Sequence, residues 1–363
     1  MTVTAVQVRS DDHPFPPVDR VISPSDGHPE RMDDYREGFE GARILVTGGM
    51  GAIGSNLVGR LRRYDPEAIV VVDDCSSGYR WLLPDAEEIT FVEGSVLDEE
   101  VLKRAFGTEP EYVYHLAAHF ANQNSVEHPE TDLRVNGMGT LKVLQYARLV
   151  SPERVVYASS GCGVYGEDAE VPYSEGDVSI SHDTPYQVTK LLGELYTNYF
   201  YNLYGLPIAN APLFNSYGPG EVPGVYRNVI PNFFYWAAQG KRLPITGDGT
   251  ETRDWTHVSD IVEGLLAMAV EEEAVGEAFN LATGSETRVI DVAEGILDRT
   301  GGDAGVEYVG RREWDGKTRI VGDIEKARRV LSYEPQVSFE EGLDTVADWF
   351  ETNRERIGAC AEF

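Results

Sequence analysis

The chain has 363 residues, of which 42% are hydrophobic, so it can bury one large or two smaller cores. Its 61 acidic and 31 basic residues give a formal net charge of −30, which argues against nucleic-acid and anionic-membrane binding and is typical of adaptation to high salt. The chain shows neither an apolar run long enough to span a membrane nor a charged segment followed by an apolar one at Met1, so we expect a cytoplasmic protein. The spacing of Cys75, Cys162 and Cys360 does not match that of a metal site, so we expect no bound metal.

Residues 1–40 contain several prolines among charged residues and lack sustained periodicity, which predicts an irregular N-terminal extension. From Arg43 the pattern changes to short β-branched runs that alternate with helical stretches. This alternation predicts a Rossmann-like α/β fold, with a doubly wound parallel sheet covered on both faces. The predicted strands are Ile44–Val46, Ile69–Val72, Ile89–Val92, Tyr112–Leu116 and Arg154–Ala158, and the predicted helices are 52–64, 98–106, 133–149 and 184–204.

A glycine-rich turn joins the first predicted strand to the first predicted helix. Gly48, Gly51 and Gly54 have the spacing and context of a dinucleotide-binding turn, in which the backbone approaches a pyrophosphate at a helix N-terminus. Asp73 and Asp74 end the next predicted strand, where a carboxylate can bind the ribose diol and would repel a 2′-phosphate. The sequence therefore predicts NAD rather than NADP as the cofactor.

Tyr186 and Lys190 lie four residues apart in a predicted helix, so both side chains share one face. A cation beside the phenol favours its ionised form. Lowering a tyrosine pKa from about 10 to about 7 needs roughly 4 kcal/mol, which the lysine and a bound nicotinamide ring could supply together. With the glycine turn, this pair predicts redox chemistry on a substrate hydroxyl.

Together these motifs resemble the extended short-chain dehydrogenase/reductase family, and in particular its nucleotide-sugar epimerase and dehydratase branch. The resemblance covers residues 43 to 352 and includes further motifs, namely His115-Leu-Ala-Ala118, Asn136-Gly-Met-Gly-Thr140, Tyr157-Ala-Ser-Ser160, Val164-Tyr-Gly166, Leu213-Phe-Asn-Ser-Tyr-Gly-Pro-Gly220, Gly247-Asp-Gly249, Arg253-Asp254 and Glu340-Glu-Gly-Leu343.

The resemblance implies a cofactor site and a substrate site. Asn215 would contact the sugar nucleotide, and Arg253 with Arg312 would bind its diphosphate, a task suited to the guanidinium fork. Ser95 takes the place of the usual adenine-contacting Asp. The residues expected to line the cofactor are Gly48, Gly51, Ala52, Ile53, Gly54, Asp73, Asp74, Ser76, Ser95, Val96, Leu116, Ala117, Ala118, Asn136, Ser159, Tyr186 and Lys190.

The chain departs from the family pattern beside the catalytic tyrosine. Gly161 occupies the position that usually carries a catalytic Ser or Thr, so the hydroxyl partner could be Ser160, or less readily Ser125 or Cys162. Cys162 and Gly163 replace the Asp-Glu pair of the 4,6-dehydratases, and Gly163 also replaces a glutamate usual in UDP-glucuronate decarboxylases. Without these carboxylates, water elimination and decarboxylation lose their proton carriers.

The leading hypothesis is therefore an NAD-dependent epimerase of a nucleotide-activated sugar, acting through a transient ketone and most often at C4. The alternatives are a dehydratase, a decarboxylase or a 3,5-epimerase, and, in another class, a catalytically silent NAD-binding regulator. The nucleotide and the sugar stay open, because no decisive motif marks the substrate pocket.

The resemblance also implies a homodimer formed by the helices predicted at 133–149 and 184–204, although Leu141, Leu144, Leu191 and Leu195 on these helices could equally face the core. The expected organisation is an NAD-binding domain and a smaller mixed α/β substrate domain. The NAD-binding domain is expected to span 41–215, with the chain returning to it at 255–283. The substrate domain is expected to span 216–254 and 284–355, and residues 356–363 are expected to form a tail.

Overall fold

The computed structural model describes residues 35–166, 169–302 and 304–363. Most of the extension predicted as irregular, residues 1–34, lies outside the described residues. Residues 35–39, which belong to the same predicted extension, form a helical turn. The reason is apolar burial, because Tyr35 and Phe39 are buried and both rings pack against Tyr64.

A six-stranded parallel sheet forms the centre of the protein, with the strand order β3-β2-β1-β4-β5-β6. This arrangement confirms the predicted Rossmann-like fold, and each of the five predicted strands lies in the sheet. The strands are β1 (Arg43–Thr47), β2 (Ala68–Asp73), β3 (Ile89–Glu93), β4 (Tyr112–His115), β5 (Arg154–Ser160) and β6 (Ile208–Leu213).

The sixth strand, β6, was not among the predicted strands because Asn210 and Pro212 interrupt its apolar run. Proline is tolerated there because β6 is the last strand of the sheet. Its outer side meets the segment 277–281, where Asn210 exchanges backbone hydrogen bonds with Glu277 and Phe279 at 2.9 and 3.0 Å. Pro212 lies on the same outer side of the strand. It has no N–H to donate, but its carbonyl accepts a hydrogen bond from the N–H of Leu281.

Helices cover both faces of the sheet, and alternate strand residues point to opposite faces. The first eight helices in chain order are α1 (Ala52–Leu61), α2 (Glu99–Phe106), α3 (Asn122–Glu127), α4 (Pro129–Asp132), α5 (Thr140–Val150, preceded by the π-helical turn Leu133–Gly139), α6 (Pro185–Tyr204), α7 (Val229–Ala237) and α8 (Val258–Val270). Ile44 and Val46 pack in one core with α1 and α8, whereas Leu45 packs in the other with α2 and α5.

The remaining elements build a smaller mixed region with its own core, in which Phe234, Ile245, Ile296 and Leu343 are buried together. Two small sheets, β10-β7 and β11-β8-β9, belong to it. Within the described ranges, none of the helices has the length and apolar character needed to cross a bilayer. The elements are β7 (Leu243–Thr246), β8 (Thr252–Arg253), β9 (Thr287–Arg288), α9 (Val289–Thr300), β10 (Val306–Val309), β11 (Arg319–Ile320), α10 (Glu325–Leu331), α11 (Phe339–Thr352) and α12 (Arg354–Cys360).

Candidate active site

The glycine turn after β1 has no room for side chains. Gly48 has φ +71°, and a Cβ atom there would lie 2.6 Å from the backbone nitrogen of Ala117. A Cβ at Gly54 would lie 2.3 Å from the carbonyl oxygen of Gly48. The N-cap of α1, Gly51, makes no side-chain capping bond, so the first N–H groups of the helix can receive an anion. This cradle fits the pyrophosphate of a dinucleotide.

Asp73 stands at the end of β2, beside the glycine turn. Its carboxylate accepts hydrogen bonds from the backbone N–H groups of Met50 at 3.0 Å and Cys75 at 2.9 Å. Burial raises the pKa of Asp73, and these two hydrogen bonds oppose the rise because they favour the ionised form. The carboxylate therefore ties β2 to the cradle at the place where a ribose diol would bind.

One cavity of about 390 Å³ runs along the carboxyl edge of the sheet and collects most of the predicted site residues. Four predicted residues, Asn136, Ser125, Arg253 and Arg312, lie outside the set of described residues that line it. The predicted residues that do line it are Gly48, Gly51, Ala52, Ile53, Gly54, Asp73, Asp74, Ser76, Ser95, Val96, Leu116, Ala117, Ala118, Ser159, Ser160, Cys162, Tyr186, Lys190 and Asn215.

Tyr186 and Lys190 enter the cavity from the first two turns of α6. The helix begins with a capping box, in which Thr184 and Gln187 each bond the other's backbone N–H, and with Pro185 in the first turn. The Lys190 ammonium donates to the carbonyl of Ala158 at 2.8 Å and lies 5.7 Å from the centre of the Tyr186 ring. The end of β5 therefore fixes the lysine beside the phenol.

The electrostatics of this pair differ from the simple expectation of a cation that ionises a phenol. Burial raises the pKa of Tyr186, and Cys162 adds to the rise, while a hydrogen bond to Ser160 opposes it. Burial also lowers the pKa of Lys190 to about 8, against the opposing effects of Asp132 and Glu194. The protein's own groups thus hold the phenol protonated at neutral pH, and ionisation needs a further positive charge.

The three candidates for the hydroxyl partner have different surroundings. Ser160 lines the cavity near Tyr186, where it opposes the rise in the pKa of the phenol. Ser125 is fully buried, where its hydroxyl donates to the carbonyl of Asn122 at 2.7 Å and accepts from the backbone N–H of Tyr186 at 3.0 Å. The structure therefore places Ser125 as a support beneath α6.

Cys162 lines the cavity, and its sulfur lies 3.6 Å from the side-chain oxygen of Asn215. Burial raises the pKa of its thiol, although Lys317 and Arg253 oppose the rise. A thiol kept protonated is a poor base and a poor nucleophile. Because S–H is also a weaker hydrogen-bond donor than O–H, Cys162 is less suited than Ser160 to polarise a substrate oxygen.

Gly161 lies where the family usually has Ser or Thr, and packing explains the glycine. A Cβ atom there would come within 2.2 Å of the Phe214 ring, which is fully buried. The N–H of Gly161 also donates to the carbonyl of Leu213 at 2.9 Å, which holds the backbone against β6. The usual hydroxyl side chain therefore cannot be accommodated unless Phe214 moves.

We expect Gly161→Ser to lower the free energy of unfolding by about 1–3 kcal/mol, the usual cost of overpacking a core. Urea unfolding of this variant measures the loss. Gly59→Ser is the matched control, because no atom lies within 4 Å of a Cβ there. The double variant Gly161→Ser/Phe214→Ala should lose less than the sum of the single variants, and strict additivity would contradict the proposed clash.

Asn136 acts behind the cavity wall. Its side chain accepts from the N–H of His119 at 2.7 Å and donates to the His119 carbonyl at 3.2 Å and to the Thr189 hydroxyl at 3.2 Å. Asp132 accepts from the same Asn136 side chain at 2.8 Å. Asn136 thus joins the loop after β4 to α6, and it orients residues that line the cavity.

The two arginines expected to bind the diphosphate are not among the described residues that line the cavity. Arg253 donates to the carbonyl of Thr252 at 2.8 Å, lies 3.6 Å from the Asp315 carboxylate and influences Cys162 electrostatically. Arg312 lies over the Trp314 ring, 5.4 Å from its centre. Both arginine side chains would have to move away from these partners to reach a ligand in the cavity.

The cavity also has lining residues that the sequence did not predict, including His119, Glu221, Arg227 and Asn228. Burial raises the pKa of Glu221 to about 7, and Arg227 opposes the rise. The last three residues come from a loop far along the chain from the glycine turn. That loop lacks periodicity and a local motif, so only the tertiary structure shows that it reaches the cofactor end.

Comparison with known proteins places this site in a family. Residues 44–282 match the model of the NAD dependent epimerase/dehydratase family. The chain is 35% identical over 312 residues to UDP-glucose 4-epimerase of Mycolicibacterium smegmatis, which covers 85% of this chain and 98% of the relative.

Two solved structures support the same placement. The epimerase Mth375 of Methanothermobacter thermautotrophicus is 60% identical, with a TM-score of 0.91, and the match covers 93% of this chain and 100% of that chain. WbmF of Bordetella bronchiseptica, solved with NAD+, is 33% identical with a TM-score of 0.77, covering 89% and 96%. With the dinucleotide cradle and the Tyr186–Lys190 pair in one cavity, these matches confirm the resemblance and the NAD prediction, and the chain belongs to the NAD dependent epimerase/dehydratase family.

Proposed function

We propose that the protein catalyses the NAD-dependent epimerisation of a nucleotide-activated hexose or hexuronate, through a transient ketone and with C4 as the reacting carbon. The observation that carries this proposal is one cavity in which Tyr186, Lys190 and Ser160 lie with the dinucleotide cradle, and in which Cys162 lines the wall where dehydratases carry an aspartate. The relatives named as epimerases support the same reaction class.

The chain's own groups would handle the proton of the reacting hydroxyl. Ser160 would hydrogen-bond the substrate oxygen, and Tyr186 would take its proton as the carbon becomes a ketone. NAD, when bound, supplies the acceptor and later donor of the hydride, and its ring adds positive charge beside the phenol. Lys190 adds a second positive charge, and Tyr186 returns the proton once the sugar presents its other face.

The site is poorly equipped for water elimination or decarboxylation. Those reactions need an additional acid or base near the sugar, and Cys162 and Gly163 stand at the positions where relatives carry carboxylates. A Cβ atom at Gly163 would lie 2.9 Å from Cβ of Ser160, so a larger residue there would displace Ser160. The geometry therefore favours epimerisation within the family.

The test is to incubate the purified protein with UDP-, GDP-, CDP- and dTDP-sugars and to analyse the products by mass spectrometry and NMR. Unchanged mass with inverted stereochemistry is the expected result. A product lighter by water or carbon dioxide would contradict epimerisation. Bound NAD without any product across the panel would instead support a catalytically silent regulator.

We expect Ser160→Ala to lower kcat by roughly 10²- to 10³-fold, the loss seen when one oxyanion-stabilising donor is removed. Cys162→Ala is the matched comparison, and it should retain most of the activity because a thiol is only a weak hydrogen-bond donor. Steady-state kinetics with the substrate found in the panel measures both. A larger loss at Cys162 than at Ser160 would reassign the hydroxyl partner.

A homodimer is also part of the proposal, and an exposed apolar stripe on α6 supports it. Leu195, Tyr199 and Leu203 recur every four residues on α6 and are exposed. In contrast, Leu191 of the same helix and Leu144 of α5 are buried. Leu133 and Met138 are exposed on the preceding helical segment. The two helices thus present apolar surface beyond what their own core uses.

We expect light scattering to give the mass of a dimer for the wild-type protein and of a monomer for Leu195→Glu, because a charge would be buried in the interface. Ile180→Glu serves as the control, since Ile180 is exposed in a loop. A monomeric wild-type protein would rule out this assembly.

The finer assignments complete the proposal. We assign diphosphate binding to Arg253 and Arg312, which would approach the substrate from the smaller mixed region. We assign contact with the sugar nucleotide to Asn215, which lines the cavity. A cytoplasmic location agrees with three cysteines that are all free thiols. The division into an NAD-binding domain and a substrate domain agrees with the separate core around Phe234 and Ile296.

A further inference from the structure

The segment 221–228 connects α3 with the loop that follows β2. The Tyr226 hydroxyl donates to the carboxylate of Glu127 at 2.6 Å, on α3 after β4. The next residue, Arg227, donates from its guanidinium to the carbonyl of Ser77, in the loop after β2. Adjacent side chains therefore bind the loops that follow two different strands, and Ser77 and Arg227 both line the cavity.

The C-terminal residues hold this segment from behind. The N–H of Val225 donates to the carbonyl of Glu362 at 3.0 Å, and the Tyr79 hydroxyl donates to the carbonyl of Cys360 at 3.2 Å. Phe363 stacks on Tyr235 of α7 with ring centres 5.3 Å apart. The residues predicted as a tail are thus partly helical in α12 and connect the Ser77 loop to the segment 221–228.

Arg227 brings positive charge to the adenosine end of the cavity. Among the described residues that line it, Lys190 and Arg227 are the lysine and arginine side chains, and the Lys190 ammonium donates to the carbonyl of Ala158 beside the Tyr186 ring. Arg227 acts on Asp73 and Glu221, since it opposes the rise in the pKa of both carboxyl groups. A bound dinucleotide would bring a doubly negative pyrophosphate to the glycine cradle of the same cavity, and a guanidinium is well suited to bind phosphate oxygens.

We propose that Arg227 is a cofactor-binding residue supplied by the segment 221–228, and that its bridge to Ser77 retains NAD in the cavity between turnovers. The dinucleotide would lie between the glycine cradle and this segment, so release requires the Arg227 bridge to open. Retention suits an enzyme that regenerates its cofactor in place. The inference rests on NAD binding and not on which sugar is epimerised.

The rate of NADH release from the full-length protein tests the proposal. The protein is loaded with NADH, excess NAD+ is added, and the loss of bound-NADH fluorescence is followed by stopped flow. We expect Arg227→Met to release NADH at least about tenfold faster, a change that corresponds to about 1.4 kcal/mol. Arg227→Lys should give an intermediate rate, because it keeps the charge and loses the fork.

Two further variants separate retention from general damage. Tyr226→Phe keeps the ring and removes the bond to Glu127, so it should speed release by a smaller factor. Arg242→Met replaces an exposed arginine of the same region and should leave the rate unchanged. Thermal unfolding of each variant shows whether the fold is intact.

Equal release rates for Arg227→Met and Arg242→Met would overturn the proposal. Faster release from Arg227→Met that tracks a fall in thermal stability, with no effect of Tyr226→Phe, would also overturn it. A wild-type protein that takes up no NADH would refute both this inference and the cofactor assignment. Tight NADH retention without any sugar product would contradict only the proposed epimerisation.

Discussion

Replacement of Tyr186 by phenylalanine is expected to lower kcat by roughly 10²- to 10⁴-fold, because the variant loses the group that moves the substrate proton. NAD should stay bound, since the cradle and Arg227 are unchanged. Product formation is measured with the sugar nucleotide found in the panel, and bound NAD is measured after denaturing the protein.

Tyr308→Phe is the matched control, because Tyr308 is exposed on β10. It should turn over at the wild-type rate. A Tyr186→Phe variant with more than about a tenth of wild-type kcat would contradict general-base catalysis by this residue, since such catalysis contributes about 10²-fold or more. Loss of bound NAD from the same variant would point to a damaged site instead.

Asp254→Ala is expected to lower the free energy of unfolding by about 3 kcal/mol or more, because it leaves several buried donors unsatisfied. Asp254 is fully buried. Its carboxylate accepts from the N–H and hydroxyl of Thr283 at 2.8 and 2.6 Å, from the N–H of Gly284 at 2.9 Å and from the N–H of Gly322 at 3.3 Å. One side chain thus joins three chain segments.

Urea unfolding measures the loss, and Asp298→Ala, at an exposed position of α9, is the control. Two outcomes would contradict the structural role assigned to Asp254. One is an unchanged urea midpoint for Asp254→Ala. The other is an equal loss in the control, which would show that the effect does not depend on the buried hydrogen bonds.

The central fold is predictable from the sequence because its signal is local and repeated. Each of the first five strands contains a short, mostly apolar run of aliphatic, β-branched or aromatic residues, as in Ile69–Val72, and burial of the sheet on both faces favours this composition. The strand β6 lacks that signal, since Asn210 and Pro212 are acceptable only at an edge. The helix bounds are largely predictable, since 98–106 and 184–204 each agree with the structure within one residue. The change of α1 into a tighter 3₁₀ turn at Arg62–Tyr64 is not visible in the sequence pattern.

The candidate active site likewise has parts that the sequence predicts and parts that it does not. The glycine turn and the Tyr186–Lys190 pair can be identified because each is compact in sequence and its spacing reflects one element's geometry. The place of Arg227 in the cavity depends on its contact with Ser77, which is far away in the sequence. The need for glycine at 161 depends on Phe214, more than fifty positions away. Neither can be seen in a local pattern. The ionisation of Tyr186 also depends on burial, which no spacing reports.

The capping box of α6 has a consequence for kinetics. Tyr186 lies in the first turn of α6, next to the cap residue Thr184, whereas Lys190 lies one turn deeper. The Thr184 hydroxyl donates to Asn122 at 2.8 Å, and Ser125 bonds the backbone of Tyr186, so α3 restrains this helix end from fraying. Local opening of the end would move the general base and leave the lysine in place, so the fraction of time spent closed sets an upper limit on turnover.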